Sequence, residues 1–171
     1  MKLSLLFVSV GFVLVLLQTT LPRILPLGPF VPDLTLVLCV YLGLNHPTVG
    51  AVVGTFMLGY SVDVFSSRVL GVNSFAMSLV FLTVYLSSRF VWVHNPILSA
   101  PVVFVASWVK LASLMIVWTL FLTVEGFGAG ALKYALFDAM LAAILAPVLF
   151  ALLKRGQTYF ESKSARSVEE S

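Results

Sequence analysis

The stretch Leu34 to Asp63, LTLVLCVYLGLNHPTVGAVVGTFMLGYSVD, carries no charge until its last residue, yet it is broken near its middle by Asn45-His46-Pro47. A spanning helix needs roughly 20 apolar residues to cross about 30 Å of hydrocarbon, so the stretch is too long for one straight crossing. The Asn/His/Pro cluster, preceded by Gly43, is a turn signal. The stretch therefore predicts two short helices, about Leu34 to Leu44 and about Thr48 to Val62, joined by a tight turn. A helix too short to span alone must be shielded by neighbouring protein, because lipid cannot satisfy its free backbone ends.

Outward from this segment the same pattern repeats. Lys2 and Arg23, Asp33 and Asp63, and Arg68 and Arg89 each bracket a run without a charged residue. The chain of 171 residues is 60% hydrophobic and 10% charged, with a mean hydropathy of +1.08, whereas a soluble domain carries roughly 25% charged residues. The runs Leu3 to Pro22 and Val69 to Ser88 are long enough to span. The first is too long for a secretory signal and lacks a small-x-small cleavage site near Gln18 to Leu21, so it reads as a retained helix. The loop Pro22 to Pro32 is too rich in proline for helix. Further helices are expected at about Asn73 to Ser88, Ile97 to Thr123 and Ala131 to Leu153, separated by His94-Asn95-Pro96 and by a turn holding Gly126, Gly128 and Gly130.

The reading is an all-α integral membrane bundle of six helices over residues 1–153, followed by a loose polar tail, 154–171. With six passes and a cytoplasmic N-terminus, Lys2, Arg89, Lys154, Arg155, Lys163 and Arg166 lie inside, and Arg23, Arg68 and Lys133 lie outside or near the outer edge. The positive-inside rule thus favours both termini in the cytoplasm. The net charge is +3, and the tail mixes Lys154, Arg155, Lys163 and Arg166 with Glu161, Glu169 and Glu170, a membrane-surface and orientation signal rather than a nucleic-acid footprint.

Few residues offer chemistry. The single cysteine, Cys39, is an apolar filler, and no disulfide or metal spacing exists. The two histidines, His46 and His94, both sit in Asn/Pro turns; a paired metal or contact site is the weaker reading, turn residues the stronger. There is no phosphate loop and no nucleophile elbow, so neither a cofactor nor catalysis is expected. Gly50, Gly54 and Ser61 fall near one helix face, and Gly50 with Gly54 forms a small-x-x-x-small pair that permits close backbone approach. With Gly59 they are candidates for helix packing or for gripping a partner helix. Asp33, Asp63 and Gly71 are loop-anchoring candidates; at Asp63, capping and turn bonds are favoured over a substrate or cation site. Lys110 and Asp138 are ionisable groups within apolar runs, which normally find partners. In a hairpin about Glu125 to Gly130 they lie about 20 Å and 12 Å from the turn, an offset that lysine snorkelling could cover, so a mutual pair is one expectation, and a structural staple or protein interface is favoured over a proton or ligand path.

The order Pro32-Asp33-Leu34, then Gly54-Thr55-Phe56-Met57-Leu58-Gly59, Asp63, and Leu70-Gly71-Val72 before Ala76 and Met77 resembles MreD, the bacterial rod shape-determining membrane protein family. The resemblance extends over most of the chain in length and helix order. It implies a non-enzymatic part of the cell-elongation machinery in the bacterial inner membrane, supporting peptidoglycan synthesis. It also implies binding to the single-pass protein MreC and, through it, to a class B penicillin-binding transpeptidase and a SEDS glycan polymerase, with MreB on the cytoplasmic side. The fold implied is that of the substrate-binding subunits of ECF transporters, although fold does not transfer function. A small-molecule-binding transporter subunit is the main alternative. Such subunits carry Ala-x-x-x-Ala on the first helix, and Met1 to Leu21 contains no alanine. A membrane enzyme would need convergent acids and bases that the scattered Asp63, Lys110 and Asp138 do not obviously supply.

Overall fold

The computed structural model describes residues 2–24, 32–66, 70–88, 99–121 and 129–169. Within them the chain forms six α-helices: α1 Lys2–Ile24, α2 Leu34–Asn45, α3 Val49–Ser66, α4 Val72–Ser88, α5 Ser99–Phe121 and α6 Ala129–Glu169. No strand occurs among the described residues. The expected turn at His94-Asn95-Pro96, most of the loop Pro22 to Pro32, Arg68, Arg89, and the Glu125 to Gly128 part of the glycine turn lie outside the described residues.

The break at Asn45-His46-Pro47 is built from local hydrogen bonds. The His46 amide donates to the Leu42 carbonyl at 2.9 Å, closing α2. Asn45 Nδ2 reaches back to the Tyr41 carbonyl at 3.1 Å. Beyond Pro47, the Thr48 hydroxyl accepts from the Ala51 amide at 3.2 Å and so caps the start of α3.

Helix α2 is the centre of the bundle. Its 12 residues extend only about 18 Å, and every residue from Leu34 to Gly43 is buried. It packs against α1, α3, α4, α5 and α6, the shelter that the sequence reading expects for so short a helix. The core around it joins Leu36, Leu38 and Val40 to Val15 of α1, Leu58 of α3, Met77 and Val80 of α4, Val103 of α5 and Ala142 and Ala146 of α6. Small α6 residues let that helix approach closely.

Among the described residues, two helices contain stretches long and apolar enough to cross a membrane, Ser99–Val117 and Leu136–Tyr159. Helix α6 departs from the sequence expectation. It does not give way to a loose tail after Leu153 but continues to Glu169, 41 residues in all, or about 60 Å. No proline follows Pro147 to interrupt it, and its polar continuation is held at Gln157, whose Oε1 accepts from the Tyr41 hydroxyl at 3.0 Å. Helix α1 likewise runs through Pro22 to Ile24. A proline in a last turn removes one backbone bond without stopping the helix there.

Candidate functional site

Helix α3 presents two faces with different destinations. Ala51, Thr55, Leu58, Gly59, Val62 and Asp63 are buried in the bundle. Gly50, Gly54, Met57 and Ser61, spaced by four, three and four residues, line a groove between α3 and α1 whose other wall includes Phe7 and Phe12. The groove encloses about 370 Å³. A Cβ added at Gly54 would meet nothing within 4 Å, and at Gly50 only the Thr48 hydroxyl at 3.9 Å. The Ser61 hydroxyl is satisfied within its own helix, donating to the Met57 carbonyl at 2.9 Å, so it leaves the groove without a hungry donor.

Gly59, grouped with these residues on sequence, points the other way. A Cβ there would stand 2.7 Å from Ser74 Cα and 2.8 Å from the Asn73 carbonyl oxygen. Here α3 and α4 approach closely, and the absence of a side chain is what permits it. One turn on, Asp63 is fully buried and spends both carboxylate oxygens on the start of α4. It accepts from the amides of Gly71 at 2.9 Å, Asn73 at 3.1 Å and Ser74 at 3.3 Å, and from Asn73 Nδ2 at 2.8 Å. Negative charge at a helix N-terminus is favourable, and orphan amides there need acceptors. Gly71, at φ +93°, adopts the left-handed turn that aims its amide at Asp63.

Asp33 does for α2 what Asp63 does for α4, accepting from the Leu36 amide at 3.0 Å. It also forms an ion pair with Lys110 of α5 and accepts from Gln18 Nε2 of α1 at 3.4 Å. The Gln18 carbonyl in turn accepts from the Thr35 amide and hydroxyl at 3.2 and 2.9 Å. A partner that the Lys110 ammonium meets is Asp33, which the sequence reading had placed among the loop anchors and which α2 brings to the bundle interior through its N-cap. Asp138 faces the same cavity, a chamber of about 270 Å³ that Gln18, Asp33, Asn73, Ser107 and Lys110 also line. Sequence reading missed Gln18 and Asn73; a carboxamide inside a charge-free run was the available signal, because buried polar groups require partners.

His46 is more than a turn residue. Its Nε2 lies 3.0 Å from Gln157 Oε1, the atom that Tyr41 also reaches, and its ring packs tilted against Phe7 at 5.2 Å. This cluster ties the α2–α3 turn to α6. Among the described residues no three His, Cys, Asp or Glu side chains gather as a metal site.

No curated protein and no solved structure matches the chain, so the likeness to ECF subunits remains an implication of the resemblance. The family model described as rod shape-determining protein MreD matches residues 1–155, which takes in all of α1 to α5 and α6 through the core-facing residues up to Leu153. The chain belongs to the MreD family, and its role lies in rod shape determination.

Proposed function

We propose that this protein is a non-enzymatic scaffold of the cell-elongation machinery. It crosses the bacterial cytoplasmic membrane six times, with both termini in the cytoplasm, and holds the transmembrane helix of MreC in the α1–α3 groove. Through MreC it supports a class B transpeptidase and a SEDS glycan polymerase, while MreB lies on the cytoplasmic side, where α6 extends past the bilayer as a polar helix. The ECF-like fold belongs to the same proposal.

The observation that supports this reading most directly is the vacancy opposite Gly50 and Gly54. Their Cα surfaces face open space on a helix whose opposite face is packed. Around them Phe12, Val53 and Met57 are exposed at 49%, 53% and 56%, an apolar rim suited to a helix in lipid. Association in a bilayer gains from close backbone contact rather than from the hydrophobic effect, so a small-residue floor flanked by apolar walls is a suitable seat.

The test is co-purification of MreC in mild detergent with Gly54→Leu. The variant should fold as the parent does, since its side chain enters open space, while partner recovery falls about tenfold, equivalent to about 1.4 kcal/mol. Undiminished recovery would remove the groove from the interface.

A further inference from the structure

Helix α6 carries two stripes into its polar end. On one side Ala139, Ala142, Ala146, Phe150 and Leu153 are buried, and Gln157 continues that side, meeting Tyr41 and His46. On the other side Ile144, Val148 and Leu152, four residues apart, are each more than half exposed. Steps of three and four residues then bring Arg155 and Tyr159 to the same side, and both are exposed, as is Lys154 beside them. The stripe thus turns from apolar to cationic within one turn.

Neither Lys154 nor Arg155 forms an ion pair among the described residues. The next acidic residue along the chain, Glu161, comes nearly two turns after Arg155. A Cβ added at Gly156 would meet nothing within 4 Å, so open space adjoins the two cations. The charges of the bundle are ordered along the same axis. Lys2 opens α1 five residues before Phe7. Phe7 packs on His46, which lies on Gln157, so α1 starts at the end of the bundle where Lys154 and Arg155 stand. Three carboxylates lie toward the other end: Asp33 caps the start of α2, Asp63 bonds the start of α4, and Asp138 lines the chamber that Asp33 shares.

We infer that this face of α6 binds an anionic glycerophospholipid, its phosphate held by Lys154 and Arg155 and one acyl chain lying along Leu152, Val148 and Ile144. An arginine fork matches two phosphate oxygens, and a lysine supplies a second charge. Both long side chains keep their stems on apolar surface while their heads reach the polar layer, and Tyr159 stands where aromatic rings favour the headgroup level. An acidic protein segment would satisfy the cations but not the apolar stripe that leads into them. A molecule anionic at one end and apolar over about 12 Å, the length from Ile144 to Leu152, matches both. The inference rests on the reading that α6 crosses the bilayer, and not on partner capture in the α1–α3 groove.

The experiment places the full chain in nanodiscs that mix phosphatidylglycerol with phosphatidylcholine of the same acyl chains, and native mass spectrometry identifies the lipids that stay bound on release. The parent should retain phosphatidylglycerol over phosphatidylcholine about tenfold or more, since each cation near the membrane surface contributes about fivefold. The preference should disappear when Lys154→Gln and Arg155→Gln are combined; both side chains are exposed, so folding should hold. Lys163→Gln combined with Arg166→Gln removes the same charge farther along α6 and should keep the preference. A preference that survives the first pair of changes overturns the inference, as does one lost equally in both pairs, which is diffuse attraction rather than a site. An inserted parent without any preference overturns it too and leaves an acidic protein segment as the occupant. A chain that does not enter the discs overturns both this inference and the membrane-spanning reading.

Discussion

The ammonium of Lys110, in the middle of α5, donates to the carboxylate that caps the first turn of α2, that of Asp33. This contact links the central helix to the periphery through a charge that is about six-sevenths buried on each side. Removing one partner of a buried pair leaves the other charge uncompensated, at a cost of about 3–5 kcal/mol. Lys110→Met should therefore lower the melting temperature sharply. Asp33→Asn preserves the cap, since asparagine is as good an N-cap as aspartate, but strands the lysine. Combining the two should recover part of the loss, and a double-mutant cycle on thermal melts in detergent would measure it.

Gly59 and Gly54, five residues apart on α3, should respond oppositely to the same change. Gly59→Ala drives a methyl into the backbone of Asn73 and Ser74 at 2.8 and 2.7 Å. Backbone atoms cannot rotate away as a side chain does, so α3 and α4 must separate, at about 1–3 kcal/mol. Gly54→Ala meets open space and should leave stability nearly unchanged. Melting both variants beside the parent checks this; equal losses would mean that α3 is rotated from the orientation described.

These contrasts show which parts of the fold could be read from sequence. The short, sheltered α2 followed from its length and from Asn45-His46-Pro47, because a bilayer sets a minimum length and a turn cluster has few alternatives. The contact of Lys110 with Asp33 did not follow, because only the adjacent helix in the chain was considered, whereas Asp33 arrives from a different element through its cap. Gly59 was grouped with Gly54, although five residues at about 100° each carry it well off that face. The length of α6 was missed because polarity was read as looseness, while a polar helix tied down by Gln157 needs only a few contacts.

Asp63 bonds the start of α4 from the end of α3, so its loss should be local before it is global. Asp63→Ala leaves the amides of Gly71, Asn73 and Ser74 without their acceptor in a buried site. The expected destabilisation is about 1–3 kcal/mol. Hydrogen exchange should speed up first at those amides, while the centre of α2 stays protected. Asp63→Asn keeps one carbonyl acceptor and should fall between Ala and the parent. Uniform exchange along all helices in the Ala variant would contradict a capping role.

Gln157 offers the corresponding test at the other end of α2. Its single carbonyl oxygen accepts from the Tyr41 hydroxyl at 3.0 Å and lies 3.0 Å from His46 Nε2, while Tyr41 stacks edge-on against Phe150 at 5.1 Å. Gln157→Leu removes the acceptor without removing bulk, and leaves two polar groups of the turn without it, at about 1–3 kcal/mol. Because the Phe150 contact remains, the bundle should hold while the polar part of α6 frays. Trypsin sites at Lys154 and Arg155 should then be cut several-fold faster, as expected when local opening governs cleavage. Gln157→Glu retains carboxyl oxygens that accept from both groups and should restore resistance. Equal cleavage of the Leu variant and the parent would mean that α6 is held by its apolar face alone, and that the Tyr41–Gln157–His46 cluster adds no rigidity.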